Sequence, residues 1–495
     1  MKSIYHLLFA LFFISACGGG SNANSPETPA PTPIPPTIEP PSQPPMQNDT
    51  SIYNKPTNYN VTAISIEHLK SEISSASAGD VIALANGTYV DVELDITKDG
   101  VIVVAETSGS VFIEGSSTIE LSGDDIIFEG FTFINGQPKQ NKGAIIINGH
   151  RNRVTNCKID HFDNEGNDYK WISFNNDATY GEIDHCTFTG KQTEGALLVV
   201  WRNNENAQYH KIYRNIFSDH QYNPINDVNN DTNGWEAIRV GTSAQSQSSS
   251  YSTVEYNYFF DINGEIEIIS NKSGHNTYQY NTFESSSGML TLRHGNNCVV
   301  DSNYFLIDNT SGGGIRIIDK GHTITNNYIE GAKSNSNARG AIALSSSLKD
   351  GVLSGYWEVS DVTIANNTVI NSAQSLHYGS NSKRYPPKSA TIRNNLIRNN
   401  IDGDGEADFI KVAESRDENN AGELLNIVNP TYENNFFFGS PNLGLPEGTP
   451  AGIELIEVEL SKNNNGQYFA SEDSLNVGAP EIERLGFDSS VGSSF

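Results

Sequence analysis

Val254-Glu255-Tyr256-Asn257-Tyr258-Phe259 is answered by YQYNTF at 278–283, VDSNYF at 300–305 and ITNNYI at 324–329. The shared phrase is apolar, any, any, Asn or Cys, any, apolar. It recurs with Cys157, Cys186, Asn215, Asn257, Asn281, Asn303, Asn327, Asn367, Asn395 and Asn435 in its fourth position. The tightest intervals are 24, 22 and 24 residues (257 to 281 to 303 to 327), and the longer ones carry polar insertions such as Gly241–Ser252. A period in the low twenties with one strand phrase per unit marks a solenoid, in which each unit buries its apolar face only by stacking on its neighbours. Ile, Val, Tyr and Phe at the apolar positions suit a parallel stack, and Asn can ladder its amide between coils. Leucine-rich repeats share the period but need Leu-x-x-Leu-x-Leu, which is missing. The expected fold is therefore all-β: a single-domain, right-handed parallel β-helix of about a dozen coils over roughly residues 75 to 460. Ile66–Ser75, with Ser65 as N-cap, reads as a short helix covering the open N-terminal end of the stack.

Outside the repeat the chain reads as an address and a tether. Lys2 precedes the apolar run Leu7–Ile14, and Ser15-Ala16-Cys17 follows. A short apolar run ending in small residues is a secretory signal, too short to span a membrane. Ile-Ser-Ala-Cys resembles a bacterial lipobox, which implies residues 1–16 as signal peptide, lipid attachment at Cys17 and, with Gly18 following, an outer-membrane lipoprotein. Residues 17–50 are a proline-rich tether, extended and unable to build a core. Residues 51–495 form the domain, and a monomer is expected. Cys157 and Cys186 occupy equivalent repeat positions, so they stack as neighbours, and their bonding is left open. The formal net charge of −28 argues against nucleic acid as a partner. An acidic polymer would need a local cationic patch on such a surface.

That patch is centred on GEIEIISNKS at 264–273 and LRHG at 292–295. If GEIEII is a strand, Glu265 and Glu267 project to one face and Ile266 and Ile268 to the other. Lys272, Arg293, Arg316 and Arg339 follow one another at 21, 23 and 23 residues, about one coil each, so they are expected to form a ladder suited to a linear polyanion. Asn233 lies one coil before Glu265. Two carboxylates, an amide oxygen and waters make a Ca²⁺ site. A Ca²⁺ beside Lys272 and Arg293 suits a uronic acid. Neutralising the sugar carboxylate stabilises the charge that forms when the adjacent carbon loses its proton. Lys272 would be the base, and Arg293 would stabilise charge and help protonate the leaving glycosidic oxygen. Hydrolysis would instead need one carboxyl as acid, and in-line Glu265 and Glu267 suit chelation better.

NGWEAIRVGTS, GEIEIISNKS, NTYQYNTF and GMLTLRHGN resemble polysaccharide lyase family six, whose members are alginate lyases and chondroitinase B. GGGIRIID and KRYPPKSATIRNNLI resemble it too. The resemblance implies a parallel β-helix and calcium-assisted β-elimination of a uronate polymer. By motif it implies Lys272 as catalytic base, Arg293 as catalytic acid, Glu265, Glu267 and Asn233 as Ca²⁺ ligands, and His294, Arg239, Arg316, Lys383 and Arg384 as substrate-binding residues. Trp235 stands where the family usually has a small residue, which could alter a subsite. The expected substrate is alginate. The competing readings are a dermatan or chondroitin sulfate lyase of the same family, a noncatalytic glycan-binding β-helix, and a glycosidase on the same fold.

Overall fold

In the computed structural model the described residues are 52–495, apart from 164–167, 230–231, 308–311, 349–351, 400–406, 416–421, 441, 472–474 and 488–490. The signal segment, Cys17 and the tether lie outside them. The chain folds as a parallel β-helix. One sheet runs through 14 strands, from Val61–Ala63 to Asn429–Glu433, and two further files of parallel strands complete the three walls. The only α-helix among the described residues, α1 (Ile66–Ser75), starts where the sequence places it. Ser65 Oγ accepts from His68 N at 3.1 Å, and Leu69 and Ile73 turn into the core. One strand, Val61–Ala63, precedes this helix and pairs with Val81–Leu84.

The recurrent phrase is a corner rather than a strand. In VEYNYF, Val254 and Glu255 end a strand of the first sheet and Tyr258 begins one of the second. Tyr256 turns between them at φ +53°. The equivalent residues Arg214, Tyr280, Ser302, Asn326, Asn366, Asn394 and Asn434 repeat that left-handed geometry at φ +51° to +58°. This region is uncommon for non-glycine residues, so something must hold it in every coil. The ladder does. Asn257 N and Nδ2 both donate to Asn281 Oδ1 at 3.0 Å, Asn281 donates twice to Asn303 at 3.0 Å, and the pattern runs from Asn215 to Asn435. The cysteines continue it downward: Cys186 N donates to Asn215 Oδ1 at 2.9 Å and Cys157 N to Cys186 Sγ at 3.4 Å. Cys157, Cys186 and Cys298 are unbonded and buried.

Inside the corner, Phe188, Phe217, Phe259, Phe283 and Phe305 stack with ring centroids 5.0, 5.0, 4.7 and 4.5 Å apart. Asn281→Ala should test the ladder. It leaves the buried Asn257 N–H without its acceptor and takes one donor from the Val254 carbonyl, while the Asn257 amide keeps the Ile212 and Glu255 carbonyls. An unsatisfied buried group costs about 1–3 kcal/mol, so chemical denaturation should show a loss of about 2 kcal/mol. A loss below about 1 kcal/mol would remove the ladder from the account of stability.

The last segment packs along the side of the stack, in the direction opposite to the coils. Ala479 N donates to Thr368 Oγ1 at 2.8 Å, Leu485 N to Thr282 Oγ1 at 2.9 Å and Ser493 N to Thr187 Oγ1 at 2.9 Å. These three threonines belong to one outward file of the second sheet, which also holds Ile216, Tyr258, Tyr304 and Tyr328. The tail covers that file, burying Ile482 and Leu485, and leaves the third sheet free to carry the groups that matter for function.

Candidate active site

Four neighbouring strands of the third sheet build the site: β1 (Ile238–Gly241), β2 (Glu267–Lys272), β3 (Met289–His294) and β4 (Ile315–Ile317). Ile238, Ile269, Leu290 and Ile315 point into the core. The alternate residues Arg239, Ser270, Thr291 and Arg316 form one outward file in direct register. The expected cation ladder is thus corrected. Arg316 pairs with Thr291, two residues before Arg293. The β2–β3 pairing shifts twice, with Ile268 extra in β2 and Arg293 extra in β3, so that Lys272 opposes His294. Arg339 leaves the file altogether. It donates to the Ser287 carbonyl, and burial and the Arg316 charge push it down to about 10.

Lys272 and Arg293 nevertheless end up on adjacent strand ends facing the same side. Beneath them Asn271, fully buried, donates to the Ser273 and His294 carbonyls at 2.9 and 2.7 Å and accepts from Tyr278 Oη at 2.7 Å. Gly295 follows at φ +86°. A Cβ there would stand 2.2 Å from the Ser273 carbonyl carbon, so glycine permits this close passage of the two strand ends. Arg293 donates Nη1 to the Gly355 carbonyl at 3.1 Å and Nη2 to the Ser354 carbonyl at 3.3 Å, and its Nη1 also lies 3.3 Å from His294 Nδ1. Burial lowers its pKa from the usual arginine value. His294 is 1% exposed, and burial followed by the Arg293 and Lys272 charges pushes it down to about 3. It is a neutral imidazole packed behind the two cations, where the resemblance implied a substrate contact.

The acidic side is richer than the sequence suggested. Glu265 stands in the bend before β2, and its Oε1 accepts from Gly234 N at 3.0 Å and Trp235 N at 2.8 Å. These bonds draw the Asn233-Gly234 turn over the carboxylate. Glu236, which the sequence reading passed over, lies beside Glu265, close enough for each carboxyl to shift the other's pKa. Burial pushes Glu236 up, but the Arg239 and Lys272 charges and the Glu265 contact outweigh it and hold it below the usual carboxylate range. Burial and the Glu236 and Glu267 charges push Glu265 well above that range. Two neighbouring carboxyls cannot both ionise freely, so burial and mutual repulsion favour a proton on Glu265.

Glu267 stays close enough for its charge to raise the Glu265 pKa. It accepts from Ser270 Oγ and pairs with Arg316 Nη1 at 3.3 Å. Arg239 Nη1 lies 3.6 Å from Glu236 Oε1, and its guanidinium stacks over Trp201 at 5.0 Å. Lys383 reaches the site, while Arg384 is exposed and stacks on Tyr385 at 5.6 Å. Trp235 is fully buried against His220 and Tyr222, supporting the turn from behind rather than lining a subsite.

Among the described residues no three His, Cys, Asp or Glu side chains are gathered to hold a metal ion. The pair Glu236–Glu265 still has the donor chemistry for a hard cation. Glu236 Oε2 is buried without a hydrogen-bond partner, and the proton favoured on Glu265 occupies the place of a positive charge. Glu236 and Glu265 fit Ca²⁺ on that ground, with Asn233 in the turn that the Gly234 and Trp235 bonds draw over Glu265. Glu267 is held by Arg316 at 3.3 Å.

The chondroitinase B family profile matches residues 63–411. The chain belongs to the chondroitinase B family. Among solved structures, the polysaccharide lyase family 6 alginate lyase AlyGC aligns at 28% identity and a TM-score of 0.75, covering 88% of this chain and 58% of AlyGC. An alginate lyase of the same family in complex with a trisaccharide aligns at 25% identity and 0.71, covering 86% and 93%. A mannuronic acid-specific family 6 lyase from human gut microbiota aligns at 26% and 0.66, covering 80% and 91%. No curated protein matches. The chain spans a little over half of AlyGC, whereas it spans nearly all of the other two. The family match covers all four site strands, so the chondroitinase B family assignment and the Lys272–Arg293 geometry concern the same part of the molecule.

Proposed function

We propose that this protein is an alginate lyase that cleaves its polymer by β-elimination. The observation that carries the reading is the placement of Lys272 and Arg293 at the ends of adjacent strands, with a buried pair of carboxyls, Glu236 and Glu265, beside them. A glycosidase needs two carboxyls on opposite sides of the scissile bond. Glu236 and Glu265 instead lie side by side, which is the arrangement of a cation-binding pair.

Lys272 Nζ accepts the proton from the sugar carbon that bears the carboxylate. The electron pair left on that carbon forms the new carbon–carbon double bond as the bond to the glycosidic oxygen breaks. Arg293, directly or through a water it holds, delivers a proton to that oxygen. Arg293 suits this role because its partners here are two carbonyls and an imidazole rather than a carboxylate, so its charge remains available to the leaving oxygen. His294, neutral, fills the space behind both groups without competing for the proton. Ca²⁺ held by Asn233, Glu236 and Glu265 would supply the positive charge that stabilises the enolate-like carboxylate.

The relatives favour alginate. AlyGC and the trisaccharide complex are named alginate lyases, and the gut enzyme is named as specific for mannuronic acid. The family's own name keeps a sulfated uronate polymer as the second reading. The test is to incubate the compact unit Thr50–Phe495 with alginate and, in parallel, with dermatan sulfate, and to follow the ultraviolet absorbance of the unsaturated uronate. Absorbance rising with alginate alone is the expected result. A rise with dermatan sulfate alone replaces the substrate. New reducing ends without the chromophore, or no cleavage of either polymer, removes the lyase reading.

A further inference from the structure

The orientation of Arg293 is set from outside its own strand. We propose that Tyr356 is the positioning residue for Arg293, holding the guanidinium through its ring face, so that the segment 352–357 completes the active site. The proposal rests on the reading of Arg293 as the acid of an elimination.

Tyr356 lies in the connection between β5 (Ile342–Ser345) and the strand Val362–Ala365, two coils beyond Arg293. Its ring centroid is 4.4 Å from the Arg293 guanidinium, 4.9 Å from Lys383 Nζ and 6.0 Å from the Arg316 guanidinium. Its hydroxyl accepts from Arg316 Nη2 at 3.4 Å. Three cations thus converge on one aromatic ring. Like charges gathered this closely repel, and the negative face of a π-system attracts each of them. The preceding residues act with the ring, since the Ser354 and Gly355 carbonyls take the two Arg293 amino groups.

The segment is itself anchored on three sides. Leu348 N donates to the Tyr356 carbonyl at 2.9 Å, and Ser246 Oγ donates to the Leu353 carbonyl at 2.8 Å. Ser347 and Tyr385 exchange backbone hydrogen bonds at 2.8 and 3.1 Å, which ties in the loop that carries Lys383. No carboxylate pairs with Arg293 among the described residues. Dipoles and a ring face therefore hold a guanidinium that an ion pair would otherwise neutralise. Such neutral partners fix its direction while leaving its charge for the substrate.

The experiment compares Tyr356→Phe, Tyr356→Leu and Tyr356→Ala by kcat and KM on the cleaved polymer, with thermal melts to confirm folding. Phe keeps the ring face, whereas Leu fills comparable space without one. Phe should retain kcat within about 3-fold, while Leu and Ala should lose about 30-fold in kcat with KM changed by less than about 3-fold. Leu performing as well as Phe would reduce Tyr356 to a space-filler. Phe failing as badly as Leu would transfer the role to the hydroxyl and Arg316. An activity-independent readout accompanies these assays: the side-chain Nε–Hε resonance of Arg293 in protein with isotope-labelled arginine, assigned by its loss in Arg293→Ala. A ring-current shift present in the native chain and Tyr356→Phe but absent in Tyr356→Leu supports the positioning, even if no uronate polymer is cleaved and the lyase reading falls. An unchanged resonance in Tyr356→Leu overturns it.

Discussion

Lys272→Ala is expected to lower kcat on the cleaved polymer by about a thousandfold or more, with a smaller change in KM. General-base catalysis contributes roughly 10²–10⁴-fold, and here the proton sits on a carbon, where a positioned base matters most. Nothing else around it can substitute. His294 is buried and already neutral behind Arg293, and Glu236 is committed to Glu265 and Arg239. Arg293→Ala should cost about 10²–10³-fold, the scale of removing one charge-stabilising donor. Arg293→Lys should recover only part of this, because a single ammonium cannot reach both the Ser354 and Gly355 carbonyls as the fork does. The double variant should fall little below Lys272→Ala alone, since residues that act in one step are not additive. Single-turnover rates with melting curves beside them decide the matter. Lys272→Ala within about tenfold of the native rate would assign the base elsewhere.

The fold was legible because one residue type does two jobs. Asn at the corner both accepts from the coil before it and donates to the coil after it, so the same letter recurs wherever the chain turns. What that spacing did not disclose was the φ-positive residue before each Asn, which can be Tyr, Ser, Arg or Asn and therefore leaves no fixed letter. Lys272 and Arg293 follow the alternation set by Ser270 and Thr291 at the ends of β2 and β3, whereas Glu265 stands in a bend, because the strand expected over GEIEII begins only at Glu267. The cation ladder failed because counting residues is not counting register. The β2–β3 register shifts set Lys272 against His294, the β3–β4 register puts Arg316 beside Thr291, and Arg339 turns toward Ser287. Glu236 was missed although it lies three residues from Arg239, because its significance comes from a coil-to-coil contact with Glu265 that no local pattern records. Tyr356 left no signal at all. It reaches Arg293 across two coils from an irregular segment, and such contacts depend on loop shape rather than on any repeat.

Removing Ca²⁺ with EDTA is expected to lower activity by about 10²-fold or more, with restoration by Ca²⁺, and Glu265→Gln should reproduce the loss without restoration. Both effects follow from the proton that the carboxyl pair favours on Glu265. Folded Glu265 has its pKa raised above the unfolded value. In the metal-free protein its contribution to stability is therefore fully present below the ordinary carboxylate range and is lost as pH rises through the folded value. A cation competes with that proton, so metal stabilisation must grow over the same rise in pH. At a hundredfold excess over its dissociation constant, Ca²⁺ adds about 2.7 kcal/mol, and this increment should shrink toward nothing under acid conditions. Gln at position 265 imitates the protonated carboxyl. The variant should thus be at least as stable as the metal-free native chain at alkaline pH while gaining no stability from Ca²⁺. Melting curves of both proteins across pH, with and without the ion, separate the two roles of the site. A Ca²⁺ increment that is flat with pH, or that survives in Glu265→Gln, would place the ion away from the Glu236–Glu265 pair and leave that pair as a support for the Asn233 turn.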